Sequence, residues 1–158
     1  MEREQIIIKL KNYFFIHELV GKTTYKIHGE RAWKFFSTDS LHALLITREG
    51  IARPMTINTW MRGGKFSQRG LRSNVQDIFR QMFKSQKLYL SGHVLGEAFD
   101  FDVKGMSAES VRGWIIDHDY KYPMKIRLEH KKNGKPINWV HLDTIQEIHN
   151  PKVYLFNV

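Results

Sequence analysis

Apolar and polar positions follow two different periods along this chain. From Ala98 to Val103 the period is two: Ala98, Asp100 and Asp102 share one face, and Phe99, Phe101 and Val103 the other. That is the signature of a half-buried strand. Residues 55–60 alternate in the same way, with Pro54 marking the start. Residues 124–131 and 137–144 flank Asn133-Gly134, a dipeptide suited to the positive-φ turn of a β-hairpin, and residues 153–156 predict a last short strand. Helical spacing governs residues 37–49, where Leu41, Leu44, Leu45 and Arg48 recur and Asp39 or Ser40 can cap. It returns after Ser73, with Val75, Ile78, Phe79, Met82 and Phe83 on one face, and again from Ser107 to about Asp119, with Val111, Ile115 and His118. Phe14, Phe15, Ile16, Leu19 and Val20 predict an amino-terminal segment packed on the core, and Gly63-Gly64 breaks residues 61–72 into a loop. The expected class is α+β: an antiparallel sheet with helices over one face.

Composition narrows this picture. A chain of 158 residues with 42% apolar and 13% aromatic residues is expected to form one domain, 1–158, around one core. No apolar run has the length of a membrane span. Ile6-Ile7-Ile8 is cut short by Lys9 and Lys11, so no export signal is read and synthesis in the cytoplasm is expected. Cysteine is absent, which removes disulfides, thiolate ligands and thiol nucleophiles. The net charge of +9 is unevenly spread: residues 61–90 carry seven bases and one acid (+6), residues 91–120 two bases and six acids (−4). The acidic stretch favours a bound cation. The basic stretch suits an anionic partner such as nucleic acid, anionic lipid or cell wall. No nucleic-acid-binding motif accompanies it, so nucleic acid is not the expected partner.

The chemistry concentrates in Ser91-Gly-His-Val-Leu-Gly-Glu-Ala-Phe-Asp100 and Trp139-Val-His141. Together they supply His93, Asp100 and His141. Two imidazoles and a carboxylate suit one zinc ion, with other divalent ions also compatible, and three protein ligands leave a fourth position for water, as catalytic sites do. Gly92 and Gly96 bracket His93, consistent with a tight turn that delivers the ring inward. Ala98 is small and shares the face of Asp100. Asp102 also shares that face, as a supporting or surface group. Asp143 either orients a ligand imidazole or lies on the surface. His17-Glu18 does not open a helical zinc motif, because Gly21 stands where its second histidine would be. His28, His42, His118, His130 and His149 have no ligand-like company and read as structural or surface residues.

The spacing Ser91-x-His93-x-x-Gly96-x-Ala98-x-Asp100 resembles the zinc-dependent D-Ala-D-Ala carboxypeptidase and endopeptidase family, related in architecture to the hedgehog amino-terminal domain. Trp139-x-His141 is similar to the family's third-ligand segment, and Arg69-Gly-Leu-Arg72-Ser-Asn74 to its Gly-Tyr/Leu-Arg-Ser segment. These blocks span roughly residues 54 to 144. The stretch from Pro54 to Trp60 and the close Tyr154-Leu-Phe-Asn157 are similar to the short phage-type members. The resemblance implies a hedgehog-like fold, zinc at His93, Asp100 and His141, and hydrolysis of peptidoglycan stem peptides by a cell-wall hydrolase of endolysin or virion type. It also implies that Arg72 contacts the substrate or oxyanion, with Arg69 a weaker choice. The family's base is often a Glu three residues before the third ligand, and that position is Asn138 here. A regular Asn133-Gly134 hairpin would put Glu129 opposite Asn138, so Glu129 is the expected base, or else an exposed glutamate paired with Lys131 or Lys135. The departure at Asn138 leaves open a noncatalytic, metal-containing module of a phage particle.

Overall fold

The computed structural model describes residues 1–75, 80–81, 84–86, 90–145 and 151–158. Most of the helix expected after Ser73, with Ile78, Phe79, Met82 and Phe83, lies outside the described residues, as does His149. Helices come first: α1 (Arg3–Leu10), α2 (Ile16–Leu19), α3 (Lys22–His28), a 3₁₀ stretch (Gly29–Phe35) and α4 (Thr38–Ile51). The remainder is β1 (Met55–Thr56), a 3₁₀ turn (Trp60–Arg62), α5 (Gly92–Leu95), β2 (Ala98–Val103), α6 (Ala108–Asp117), a 3₁₀ turn (Asp119–Lys121), β3 (Ile126–Lys132), β4 (Lys135–Asp143) and β5 (Val153–Asn157).

Local chemistry explains these boundaries. Ser37, rather than Asp39 or Ser40, caps α4 by accepting from the Ser40 amide at 3.1 Å. Ser107 caps α6 as expected. The strand expected over residues 55–60 ends at Thr56. Beyond it Asn58 turns its polar groups inward: its amide donates to the Glu18 carbonyl, and its side-chain oxygen accepts from the Arg69 amide at 3.0 Å. These bonds tie the chain to Glu18 and Arg69 instead of continuing the edge ladder.

The five strands form one sheet in the order β1-β2-β4-β3-β5. It is mixed, and the expectation of an antiparallel sheet is corrected at one edge, where β5 runs parallel to β3. The reason is geometric. In the hairpin, β4 ends beside the start of β3, and β5 begins at that same end, with Val153 opposite Ile126. Phe99, Phe101, Leu128, Val140 and Leu142 point into a core shared with Leu41, Leu44, Val111 and Ile115 from α4 and α6. Helices α4 and α6 therefore cover one face, and Asp100, Glu129 and His141 fall on the other, where the short α5 packs. Among the described residues no helix is long and apolar enough to cross a membrane.

The hairpin departs from regular register. Lys132 pairs with Lys135 and Lys131 with Pro136, as a two-residue turn requires. Beyond that, Glu129 pairs with His141, Leu128 with Leu142 and Arg127 with Asp143. One residue, His130, thus faces four, residues 137–140. The expected pairing of Glu129 with Asn138 is overturned by this bulge. The bulge is held from within the protein: Arg112, 2% exposed, donates to the carbonyls of Trp139 at 3.1 Å, Ile137 at 3.3 Å and Glu129 at 3.4 Å.

Candidate metal centre

The sheet lines up the candidate chemistry in one row. Asp100 on β2 pairs with His141 on β4, which pairs with Glu129 on β3, which pairs with Phe156 on β5. Neighbouring positions across a sheet share a face, so these side chains converge without any help from loops. His93 comes from a separate element. Its short helix α5 packs so closely on β2 that a Cβ on Gly92 would lie 2.8 Å from the Ala98 Cβ. Gly96 closes that helix at φ +71°, and a Cβ there would lie 2.0 Å from the Phe35 carbonyl oxygen. Both glycines are needed for close approach, and Gly96 also for its left-handed backbone. Ala98, small for the same reason, seats the helix that carries His93.

His93, Asp100 and His141 are buried, and one ligand atom from each lies within 4.8 Å of the others. His93 Nε2 is 3.2 Å from Asp100 Oδ2, and His141 Nδ1 is 2.7 Å from Asp100 Oδ1. The outer nitrogens are both anchored. His93 Nδ1 donates to the Gly70 carbonyl at 2.9 Å, which leaves the Nε2 lone pair facing inward. His141 Nε2 donates to Asp143 Oδ2 at 3.0 Å. Asp143, 1% exposed, is gripped in turn by Arg127, with Nε and Nη2 donating at 2.8 and 3.1 Å. Of the two readings of Asp143, the orienting one describes its place.

The donor set fits a divalent ion. Ligand histidines characteristically donate the far ring N–H to a carbonyl or carboxylate, and both do so here. Tetrahedral zinc with arms of about 2.0–2.1 Å needs donors roughly 3.3 Å apart, close to the spacing of His93 and Asp100. The group could therefore hold a metal ion.

The electrostatics show how strongly the pocket seeks positive charge. Burial opposes charging of His141, but hydrogen bonds to Asp100 and Asp143 outweigh it and push its pKa up to about 9. Burial lowers His93 despite the nearby Asp100 carboxylate. Burial would raise Asp100, but the histidines packed against it, with His141 donating to its Oδ1, hold it well below the carboxylate range.

Glu129 stands beside this group at 9% exposure, and its carboxylate accepts no hydrogen bond among the described residues. Burial raises its pKa, partly offset by His141. Neither lysine considered for it forms an ion pair with it among the described residues. Arg72 reaches the centre from the loop, with Nη2 3.3 Å from Asp100 Oδ2 and Nε donating to the Gln68 carbonyl at 2.7 Å. Arg69 turns away to an ion pair with Asp102, so Asp102 is a supporting, half-exposed group rather than a rival ligand. Arg72, Asp100 and Trp139 line a cleft of about 270 Å³ together with Lys65, Phe66 and Arg69. Asn138 is exposed and faces a different groove, with Glu109 and His130. Ser91, half-buried, precedes α5 with its buried hydroxyl unpaired by any described residue.

Arg127, Arg112 and the Gly70 carbonyl escaped sequence reasoning. Arg127 was within reach, because it lies two residues before Glu129 on the same strand face. The other two depend on the bulge and on a loop contact, which no local pattern encodes. Comparison of the chain with protein-family models, curated proteins and solved structures finds no match.

Proposed function

We propose that the chain is a zinc metallopeptidase that hydrolyses peptidoglycan stem peptides, either D-Ala-D-Ala carboxypeptidase-like or an L,D-endopeptidase. In this reading it has a hedgehog-like fold and acts as a phage-type cell-wall hydrolase. The observation that carries it is the row Asp100–His141–Glu129, closed by His93: a buried group that could hold a metal, with a carboxylate beside it that accepts no hydrogen bond among the described residues. The resemblance around Ser91–Asp100 and Trp139–His141 supplies the substrate class.

His93 Nε2, Asp100 and His141 Nδ1 would hold the ion. When bound, zinc supplies Lewis acidity and brings the pKa of the water it holds to about 7. Glu129 then takes a proton from the attacking water as its oxygen adds to the scissile carbonyl carbon. Its raised pKa suits it to keep that proton briefly and pass it to the leaving amine as the C–N bond breaks. The Arg72 guanidinium faces the same space and offsets negative charge developing on the carbonyl oxygen. Trp139 and Phe66 wall the cleft, and Lys65 adds a cation suited to an acidic peptide. The noncatalytic-module alternative rested on Asn138. Glu129, standing beside His141, supplies the carboxylate that position 138 lacks.

The test is mass spectrometry of purified peptidoglycan after incubation with zinc-loaded protein, beside a chelated control. Chelator-sensitive fragments are expected, and their masses name the bond. No fragments from any of several wall chemistries would favour the noncatalytic module.

A further inference from the structure

We infer that Arg112 is a positioning residue for the proposed reaction: it locks the β3–β4 bulge and so sets Glu129 beside His141. The inference rests on the reading of Glu129 as the base. Residues 137–139 lie outside both ladders, since pairing of β4 with β2 begins only at Val140 and pairing with β3 stops at Pro136 and resumes at His141. Their carbonyls would be left without partners on the inner side of the sheet. The Arg112 fork takes two of them, at Ile137 and Trp139, and also the carbonyl of Glu129 itself. The same carbonyl-binding group thus touches the base on one strand and the cleft wall Trp139 on the other.

The charge of Arg112 makes this arrangement selective. A buried guanidinium is tolerated only where its donors are satisfied. Here the three carbonyls and the exposed Glu109 carboxylate, at 3.0 and 3.2 Å, fill that need. Without the bulge those carbonyls return to the ladder and Arg112 loses its acceptors. Regular pairing continued from Lys132 and Lys135 then carries Glu129 to Asn138, three residues from His141. Arginine and the bulge stabilise each other, and the candidate ligands, His93 on α5, Asp100 on β2 and His141 on the part of β4 that pairs with β2, are held by other contacts.

The experiment compares Arg112→Met and Arg112→Lys with the wild type in the zinc-loaded full chain. Three properties are read: cross-strand nuclear Overhauser contacts, bound zinc, and peptidoglycan-fragment hydrolysis. In Arg112→Met, contacts between residues 129 and 141 should disappear while those between residues 100 and 141 persist. Zinc should stay at one equivalent, and kcat should fall at least about 100-fold with KM little changed, the low end of the about 10²–10⁴-fold that loss of a general base costs. Lysine carries three donors on one atom and cannot span the three carbonyls. Arg112→Lys, which keeps the charge, should show the same changes in weaker form, and it decides the question if the methionine variant does not fold. Wild-type 129–141 contacts and wild-type kcat in either folded variant would overturn the inference. A wild type that binds zinc but cuts nothing would defeat the proposed function, while the Overhauser contacts would still report on Arg112.

Discussion

The two faces of one sheet use the same strands for opposite purposes. On the helix side, the row Phe99–Leu142–Leu128 is wholly apolar and buried. One residue along each strand, the row Asp100–His141–Glu129 is polar and almost as buried, and the next, Ala98–Asp143–Arg127, carries its supports. The apolar face tolerates burial because nothing in it needs a partner. On the polar face nearly every group is partnered: His141 by two carboxylates, Asp143 by Arg127, His93 by a backbone carbonyl. Among the described residues the Glu129 carboxylate and the Ser91 hydroxyl are the groups here that form no hydrogen bond, and burial raises the Glu129 pKa.

The largest expected effect breaks the polar face alone. His93→Ala or Asp100→Ala should lose tightly bound zinc and activity together while circular dichroism stays native. One full equivalent of tightly held zinc in either variant would sink the ligand assignment. Next in size, Glu129→Ala should retain zinc and lower kcat by about 10²–10⁴-fold, the usual contribution of a general base. Unchanged wall hydrolysis in that variant would remove Glu129 from the mechanism. The apolar face should answer differently. Phe99→Ala is expected to cost about 3–5 kcal/mol in denaturant unfolding of the metal-free protein. Zinc stoichiometry of the folded fraction should be unchanged.

The apolar face also has its own pH limit. Tyr122 is buried and bonded to Thr47 at 2.9 Å, and burial, only partly offset by that bond, raises its pKa to about 12. An acid whose folded pKa exceeds its unfolded value of about 10 stabilises the fold fully below pH ~10, and that contribution fades as pH rises through ~12. The two-unit shift corresponds to about 2–3 kcal/mol. In Tyr122→Phe the fall in unfolding free energy between these pH values should be shallower by about that amount. Equal slopes in the two proteins would show that another group sets the alkaline limit.

Period-two alternation made β2 legible from sequence and placed Asp100 opposite the core phenylalanines, because a strand buried on both sides but polar on one leaves a clean pattern. The closeness of His93 to Asp100 was legible because spacing within Ser91–Asp100 reflects a short helix packed directly on the strand that follows. Sequence could not show that the hairpin slips by three residues, since Asn133-Gly134 fixes register only next to the turn. The agent of the slip, Arg112, lies on another element, on a helix whose apolar spacing gave it no role. For the same reason Glu129 was given Asn138 as its cross-strand neighbour, whereas it pairs with His141. The parallel edge strand was hidden as well: a short alternating segment does not state its direction.

The smallest expected effect lies where the two faces meet. The carbonyl of Gly96, at the end of the helix that carries His93, accepts from the Ser37 amide at 3.0 Å and from the Ser40 hydroxyl at 2.9 Å. Both donors sit at the start of α4, a core helix. The Ser40 hydroxyl is buried, so Ser40→Ala deletes one of two bonds to that carbonyl without opening a large cavity. A neutral hydrogen bond of this kind contributes about 1 kcal/mol. Ser40→Ala should therefore lower unfolding free energy by about that amount and weaken zinc by less than tenfold, since the Ser37 amide still holds Gly96 and the Gly70 carbonyl still fixes the His93 ring. Loss of zinc comparable to His93→Ala would mean that the polar face is not independently held, and that the core helix, rather than the sheet, positions the first ligand.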